Sequence, residues 1–400
     1  MKKAWTVMWS VYLASIVVVI NQFKVPPVMQ VIMKELNVDL AMAGWLMSIF
    51  ALAGIILAIP AAFILGKFGP KASGLVALGC TILGCAIGGL ASGSTMLLFA
   101  RCIEGIGLGL IGVVAPAVIA MWFDSHEVGL PMGIWATWVP IGSSIIFNIA
   151  TPLESHFGWR GIWWFGAILG LIAFIVYSLN VSKPDNCDNS QNSDGTISPQ
   201  ISYAEGFKNS KVWLLAVCFA GLMFCVGSFS TWAPAYFNQD FGIDVKIANF
   251  YTSLVFMINI FGNVTAGWLL GKVKNRNAVL VVAVLLSTIL YPIGFRLNSP
   301  NNILPYIVVL GAIPAFIPTT IFTLAPESMP TPELGGLAMG IVNLGSNFGF
   351  MIGPPIVGSV VKSGGEWTSA SYPILVVMII ALLASLIFSK IKVSRLNISA

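Results

Sequence analysis

The sequence has few charged residues, few histidines and no motif that would hold a nucleotide phosphate. Charged residues make up 9% of its 400 residues and hydrophobic residues 57%, whereas a soluble domain carries about 25% charged residues. This composition excludes an ordinary soluble domain. The absence of a glycine-rich phosphate loop with a lysine argues against ATP hydrolysis.

The sequence also has few residues in patterns typical of metal sites or of nucleophilic catalysis. The two histidines, His126 and His156, lie in predicted loops, and the six cysteines lack metal-ligand spacing. Five of these cysteines fall in apolar segments, where they serve as small hydrophobic residues. No nucleophile and base occur at a shared membrane depth. We therefore expect no metal and no cofactor, and an enzyme is disfavoured.

Apolar runs of 18 or more residues recur along the whole chain, and each predicts a transmembrane helix. Segment 182–210 is rich in Asn, Asp and Ser and predicts a flexible cytoplasmic linker. It separates a six-helix bundle over residues 1–181 from a second one over residues 211–400. The twelve predicted helices span residues 5–34, 41–65, 72–92, 96–122, 130–153, 161–181, 211–237, 246–271, 277–296, 302–325, 337–361 and 369–391.

Lysine and arginine are distributed unequally between the two ends of these helices. Thirteen lie in segments that share a side with the N-terminus and five lie in the opposite segments. Because cytoplasmic loops carry the excess of Lys and Arg, we expect both termini in the cytoplasm. The net charge of +5 comes from these helix flanks and does not indicate nucleic-acid binding.

The two halves contain similar short segments at equivalent helices. Leu65-Gly66-Lys67 matches Leu270-Gly271-Lys272, and Met132-Gly133-Ile134 matches Met339-Gly340-Ile341, at offsets of 205 and 207 residues. These matches suggest two parallel repeats of six helices.

Several local motifs resemble those of the major facilitator superfamily. They are the arginine and spaced glycines of residues 101–109, Trp138-Val139-Pro140-Ile141-Gly142 in helix 5, and Phe157-Gly158-Trp159-Arg160 before helix 6. The loop at residues 66–71 is similar to the helix 2–3 motif but has Gly66 and Pro70 where the family usually has aspartate and arginine. The resemblance covers the whole chain. Within the superfamily, the chain looks most like the bacterial branch of cyanate, nitroimidazole, nitrate and small organic-anion carriers.

Three charged residues lie within the predicted membrane helices of the first half. Arg101 and Glu104 occur in one apolar run, and Lys24 follows Asn21 and Gln22 in the first helix. Charges in such segments are costly, so they indicate a functional site. The resemblance places helices 1 and 4 at a central cavity, which implies that Lys24, Arg101 and Glu104 are within reach of one another.

One carboxylate and two cations predict a net positive site that attracts an anion. Glu104 would then be free to take a proton or to exchange partners. Snorkelling of Lys24 and Arg101 to the headgroups is the alternative, and so is a purely structural pair between Arg101 and Glu104 at i, i+3 spacing. Asn21, Gln22 and Trp138 complete the substrate contacts expected in this half.

Glycines and prolines in three helices predict close helix packing and bends that serve the conformational change. Packing alone is the plainer interpretation of the glycines. The residues are Gly105, Gly107, Gly109, Pro140, Gly142 and Pro354.

The second half lacks an ionisable residue well inside a helix, so we expect it to contact the neutral body of the substrate. Its candidate contacts are Trp232, Tyr236, Asn259, Asn263, Asn343 and Asn347. Interhelical hydrogen bonds are the alternative for the amides, and an interfacial aromatic belt is the alternative for Trp232 and Tyr236.

The sequence therefore predicts an all-α secondary transporter of the major facilitator fold for a small organic or inorganic anion, working by proton symport or anion exchange. Efflux of neutral or cationic drug-like compounds is the alternative, and a non-transporting receptor is less favoured. The resemblance implies a monomer in the inner membrane of a bacterium, with the lipid bilayer and a small molecule as its partners.

Overall fold

The computed structural model describes residues 2–57, 60–123, 127–182, 203–331 and 334–391. No strand occurs within these ranges. The helices are α1 (Lys2–Phe23), α2 (Met29–Leu36), α3 (Leu40–Leu57), α4 (Pro60–Gly89), α5 (Ser94–Trp122), α6 (Gly129–Trp135), α7 (Trp138–Asn180), α8 (Tyr203–Lys208), α9 (Ser210–Phe241), α10 (Val245–Lys272), α11 (Arg276–Ile293), α12 (Ile303–Ala312), α13 (Phe316–Glu327), α14 (Gly335–Gly364) and α15 (Ser371–Lys390).

The membrane crossings agree with the prediction of an all-helical fold. Within the described ranges, 11 stretches are long and apolar enough to cross a membrane. One of them, Gly129–Asn180, has 52 residues, whereas about 20 residues cross the hydrocarbon core. Gly158 interrupts this stretch with a φ of 66°, which favours glycine because it has no Cβ. The stretch therefore makes two crossings, and the predicted architecture of about twelve helices is confirmed.

Two prolines interrupt the first predicted helix. α1 ends at Phe23, Pro26–Val28 form a 3-10 turn, and the chain continues as α2. Because proline has no N–H, Pro26 cannot provide the i+4 donor for the carbonyl of Gln22. The helix is therefore interrupted beside Lys24.

Two further helices differ from the prediction. The single crossing predicted over residues 302–325 corresponds to the apolar stretch Pro300–Glu327, but α12 ends at Ala312 and α13 begins at Phe316 within it. The helix predicted over 130–153 is likewise divided into α6 and α7. Pro314 and Pro140 account for these breaks, since each removes one i+4 hydrogen bond.

The chain folds into two compact units. The first comprises residues 1–193 and 230–257, and the second comprises residues 194–229 and 258–400. In the first unit α5 packs against α3, α4 and α1, and α1 packs against α7. In the second unit α11 packs against α15 and α13.

Some sequence predictions lie outside the described residues. The predicted linker extends over 182–210, of which residues 183–202 are not described, and α8 and the start of α9 occupy its end. The bundle boundaries at 181 and 211 stay predictions. His126, Lys183, Lys392 and Arg395 also lie outside the described residues.

Candidate functional site

A three-residue charge cluster lies inside the first unit, where α1 and α5 meet. Glu104 accepts from Lys24 Nζ through Oε1 at 2.8 Å and from Arg101 Nη1 through Oε2 at 2.6 Å. All three side chains are 0% exposed. The structure thus brings together the three residues that the sequence singled out, and neither cation snorkels to a surface.

Arg101 is fixed mainly by backbone carbonyls. Its Nη1 donates to Asn21 O at 2.6 Å, its Nη2 to Gln22 O at 2.8 Å and its Nε to Leu46 O at 3.0 Å. The last carbonyls of a helix lack intrahelical donors, and Pro26 removes the N–H that Gln22 O would otherwise receive. Arg101 therefore caps the C-terminus of α1, where the helix dipole also favours a cation.

Lys24 is held by side chains instead. Its ammonium donates to Asn21 Oδ1 at 3.0 Å, to Glu104 Oε1 at 2.8 Å and to Cys85 Sγ at 3.3 Å. An ammonium has three donors, so all three are in use. The nitrogen also lies 4.6 Å from the centroid of the Trp163 ring. An anion that binds Lys24 must therefore displace one of these groups.

Glycines on the neighbouring helices make room for the cluster. A Cβ at Gly84 would lie 2.5 Å from Glu104 Cγ, and one at Gly166 would lie 2.1 Å from Asn21 Oδ1. Cβ atoms do not approach other heavy atoms so closely, so any larger residue would displace the cluster.

The cluster is rich in positive charge for its surroundings. Two cations and one carboxylate give a formal charge of +1 in segments apolar enough to cross a membrane. Charges in such surroundings are costly unless paired and hydrogen-bonded. The hydrogen bonds of Arg101 and Lys24 meet this requirement. They do not cancel the remaining formal charge of +1, which is suited to binding an anion.

The predicted conformational glycines of α5 lie against neighbouring helices. A Cβ at Gly105 would lie 2.3 Å from Phe50 O on α3, and one at Gly107 would lie 2.1 Å from Thr81 Oγ1 on α4. Gly109 faces Leu57 of α3, with a looser distance of 3.1 Å. Close packing explains these three positions, and their role in a conformational change stays a proposal.

The other predicted conformational residues lie on α7 and α14. Gly142 contacts α1, because its Cβ would lie 2.8 Å from Val19 Cγ1. Pro140 is buried two residues before it, and Pro354 lies inside α14.

The predicted aromatic contacts do not join the charge cluster. Trp138 stacks on Trp135, with ring centroids 5.4 Å apart, and is partly buried at the start of α7. Trp232 and Tyr236 belong to the first unit and are buried, which does not fit an exposed interfacial belt. Tyr236 packs against Phe237 and Phe241.

The predicted amides of the second unit form hydrogen bonds with one another and with neighbouring helices. Asn263 Nδ2 donates to Asn259 Oδ1 at 2.8 Å, and Thr319 Oγ1 of α13 donates to Asn263 Oδ1 at 3.0 Å. Asn347 Nδ2 donates to the carbonyl of Asn343 within α14 at 2.9 Å. That these amides contact the substrate stays a proposal.

Sequence reasoning missed the residues that α4 and the second part of α7 contribute. Cys85 and Trp163 contact Lys24 directly, and Gly84, Gly88 and Gly166 provide space. The sequence does contain a pattern that indicates close helix contact at α4. Its glycines Gly84 and Gly88 lie at i, i+4 spacing, which is typical of such contacts.

Comparison with known proteins supports one family. The model of the Major Facilitator Superfamily matches residues 11–337. The D-galactonate transporter of Escherichia coli O6:H1 is 22% identical over 391 residues, which cover 90% of this chain and 90% of that protein. The probable sulfoacetate transporter SauU of Cupriavidus necator is 23% identical, and the alignment covers 84% of this chain and 82% of that protein.

A relative that aligns over a shorter segment and a solved structure complete the comparison. The uncharacterized MFS-type transporter Rv1250 of Mycobacterium tuberculosis is 28% identical over 175 residues, but the alignment covers 44% of this chain and only 30% of that protein. The crystal structure of a bacterial homologue of the human lysosomal transporter Spinster is similar in fold, with a TM-score of 0.77 at 16% identity over 98% of both chains. The fold and the family point to the same class of membrane protein.

Proposed function

Since this chain belongs to the major facilitator superfamily and is a multi-pass secondary transporter, not an enzyme, we propose that it moves a small organic anion by alternating access. The observation that carries the proposal is the buried charge of +1 that Lys24, Arg101 and Glu104 leave inside the first unit. Relatives named as carriers of D-galactonate and sulfoacetate support this substrate class. The narrower branch of cyanate, nitroimidazole and nitrate carriers stays an expectation.

In this proposal Glu104 acts as an internal counter-ion that occupies the place of a substrate carboxylate. Arg101 stays bound to three backbone carbonyls, whereas Lys24 has only side-chain acceptors. Lys24 is therefore the cation that is free to change partners. A substrate carboxylate takes over the Lys24 contact of Glu104, and its negative charge neutralises the cluster when Glu104 stays ionised.

Two coupling modes follow from this exchange. In proton symport, Glu104 takes a proton as the substrate enters, so one carboxylate replaces another beside the cations. In anion exchange, Glu104 stays ionised and a second anion replaces the first. The amides Asn259 and Asn263 remain proposed contacts for the neutral part of the substrate.

We also propose a monomer in the bacterial inner membrane with both termini in the cytoplasm. The support for this orientation is the excess of Lys and Arg on the side of the N-terminus. Relatives from bacteria support the membrane.

Thermal stabilisation of the purified protein by ligands tests the substrate class. The panel pairs D-galactonate with D-galactose, which has the same configuration at carbons 2 to 5 but no carboxylate, and adds sulfoacetate, nitrate and tetraphenylphosphonium. A ligand at 100 times its Kd adds about 2.7 kcal/mol to the free energy of unfolding. We expect stabilisation by the organic anions and none by galactose. Stabilisation only by the cation would instead support drug efflux and contradict the proposal.

A further inference from the structure

We propose that Trp163 is a positioning residue that keeps Lys24 charged and in place while its carboxylate partner changes. The inference rests on the proposed function, because it concerns the cation that receives the substrate anion. Trp163 lies on the second part of α7, and it does not belong to the set of polar residues that the sequence singled out.

The face of the Trp163 ring, rather than its N–H, makes the contact. Lys24 Nζ lies 4.6 Å from the ring centroid, which is within the range of a cation–π interaction. Among the residues that the structure describes, Trp163 Nε1 is buried without a hydrogen-bond partner. A buried donor without a partner is unfavourable, so hydrogen bonding does not explain a tryptophan at this position.

The position of the ring is fixed by its neighbours. A Cβ at Gly88 would lie 2.2 Å from Trp163 Cδ1, so only glycine lets the ring lie against α4. Trp159 packs edge-on against the same ring at 5.2 Å and donates to Glu35 Oε2 at 2.8 Å. The ring is therefore held from two sides, as a fixed support for Lys24 requires.

An aromatic ring suits this role because it stabilises a cation without cancelling its charge. A second carboxylate beside Lys24 would bring the cluster to neutrality and remove its attraction for an anion. Arg101 has the same kind of neighbour, since its Cζ lies 4.4 Å from the centroid of the buried Phe50 ring. Lys24 and Arg101 thus share the carboxylate of Glu104, and each of them also lies over a different aromatic ring.

Two substitutions of Trp163 separate the ring face from simple packing. Trp163→Phe keeps an aromatic face and removes the unpaired N–H, whereas Trp163→Leu fills space without a π-system. The neighbouring Trp164 is 43% exposed, so Trp164→Leu is a matched control. The readouts are the Kd for D-galactonate and the KM and kcat of its uptake into proteoliposomes.

We expect Trp163→Leu to weaken binding about tenfold, which corresponds to a cation–π contribution of about 1.4 kcal/mol. Trp163→Phe should stay within about threefold of the wild type, and Trp164→Leu should be unchanged. The effect should appear in KM, with kcat retained. Equal binding by Trp163→Leu and wild type, or equal loss in the Phe and Leu variants, would overturn the inference.

A second measurement does not depend on any substrate. The thermal stabilities of Trp163→Phe and Trp163→Leu are compared with Lys24 present and again in a Lys24→Met background. If the ring acts on the ammonium, the advantage of Phe over Leu disappears when Lys24 is replaced. An unchanged advantage overturns the inference even if the protein carries no organic anion. Conversely, if the wild type binds no anion of the panel, the proposed function is refuted. The comparison of stabilities with and without Lys24 still tests the role of Trp163.

Discussion

Replacing Glu104 by glutamine removes the one carboxylate that two buried cations share. The substitution preserves the size of the side chain but raises the formal charge of the cluster from +1 to +2. Removing one partner of a buried ion pair costs about 3–5 kcal/mol, because the remaining charge is left buried without compensation. Glu104 has two such partners, both 0% exposed, so we expect a loss near the upper end of this range.

The matched control is Glu327→Gln, which breaks an ion pair with Arg276. These two side chains are 46% and 38% exposed, and exposed pairs contribute about 0–1 kcal/mol. The assay is unfolding of the purified protein in mixed micelles with increasing sodium dodecyl sulfate, followed by tryptophan fluorescence. The predicted contrast is therefore a loss of about 3–5 kcal/mol for Glu104→Gln against at most about 1 kcal/mol for the control.

A double substitution identifies the cause of the loss. Lys24→Met combined with Glu104→Gln restores the charge of +1 and leaves Arg101 with its three backbone carbonyls. We expect the pair to be more stable than Glu104→Gln alone, with an interaction free energy of about 1–3 kcal/mol. If Glu104→Gln is as mild as the control, or if the two substitutions are additive, Glu104 does not hold both cations.

Two further predictions concern the packing around the cluster and the contact between α7 and α10. Gly84→Ala should destabilise the protein by about 1–3 kcal/mol, because its Cβ would lie 2.5 Å from Glu104 Cγ and 2.7 Å from a backbone carbonyl. The control is Gly79→Ala on the same helix, whose Cβ would meet nothing within 4 Å and which should be neutral. Equal melting temperatures of the two variants would contradict this prediction. Asn148 Nδ2 donates to Ser253 Oγ at 3.1 Å, so cysteines at these two positions can be joined by a short, reducible thiol cross-linker. The cross-link should stop uptake until it is reduced, because alternating access requires helix ends to separate. Undiminished uptake by the cross-linked protein would count against this motion.

The composition of the sequence predicted the helical architecture, because apolar length is set by the thickness of the bilayer. It also identified Lys24, Arg101 and Glu104, since a charge in a membrane segment is unusual wherever it faces. A bend was expected at Pro140, but the break beside Pro314 was missed, because proline is tolerated inside membrane helices as well as at their ends.

The surroundings of the cluster were not predictable in the same way. A helix that is apolar on every side carries no hydrophobic periodicity that tells which face meets which neighbour. Trp163 and Cys85 therefore looked like ordinary apolar residues, although both contact Lys24. The role of Arg101 as a cap for α1 was also hidden, because it depends on a carbonyl left free by a proline 75 positions earlier in the chain.

The most direct test of the account is uptake of D-galactonate into proteoliposomes by Lys24→Met. Lys34→Met is the control, because Lys34 is an exposed lysine on α2. Loss of a buried charged contact to a ligand costs about 2–5 kcal/mol, so kcat/KM should fall at least about 30-fold while Lys34→Met transports normally. Lys24→Met should remain folded, since Glu104 still pairs with Arg101. Uptake by Lys24→Met at the rate of the wild type would contradict the claim that the buried positive charge binds the substrate.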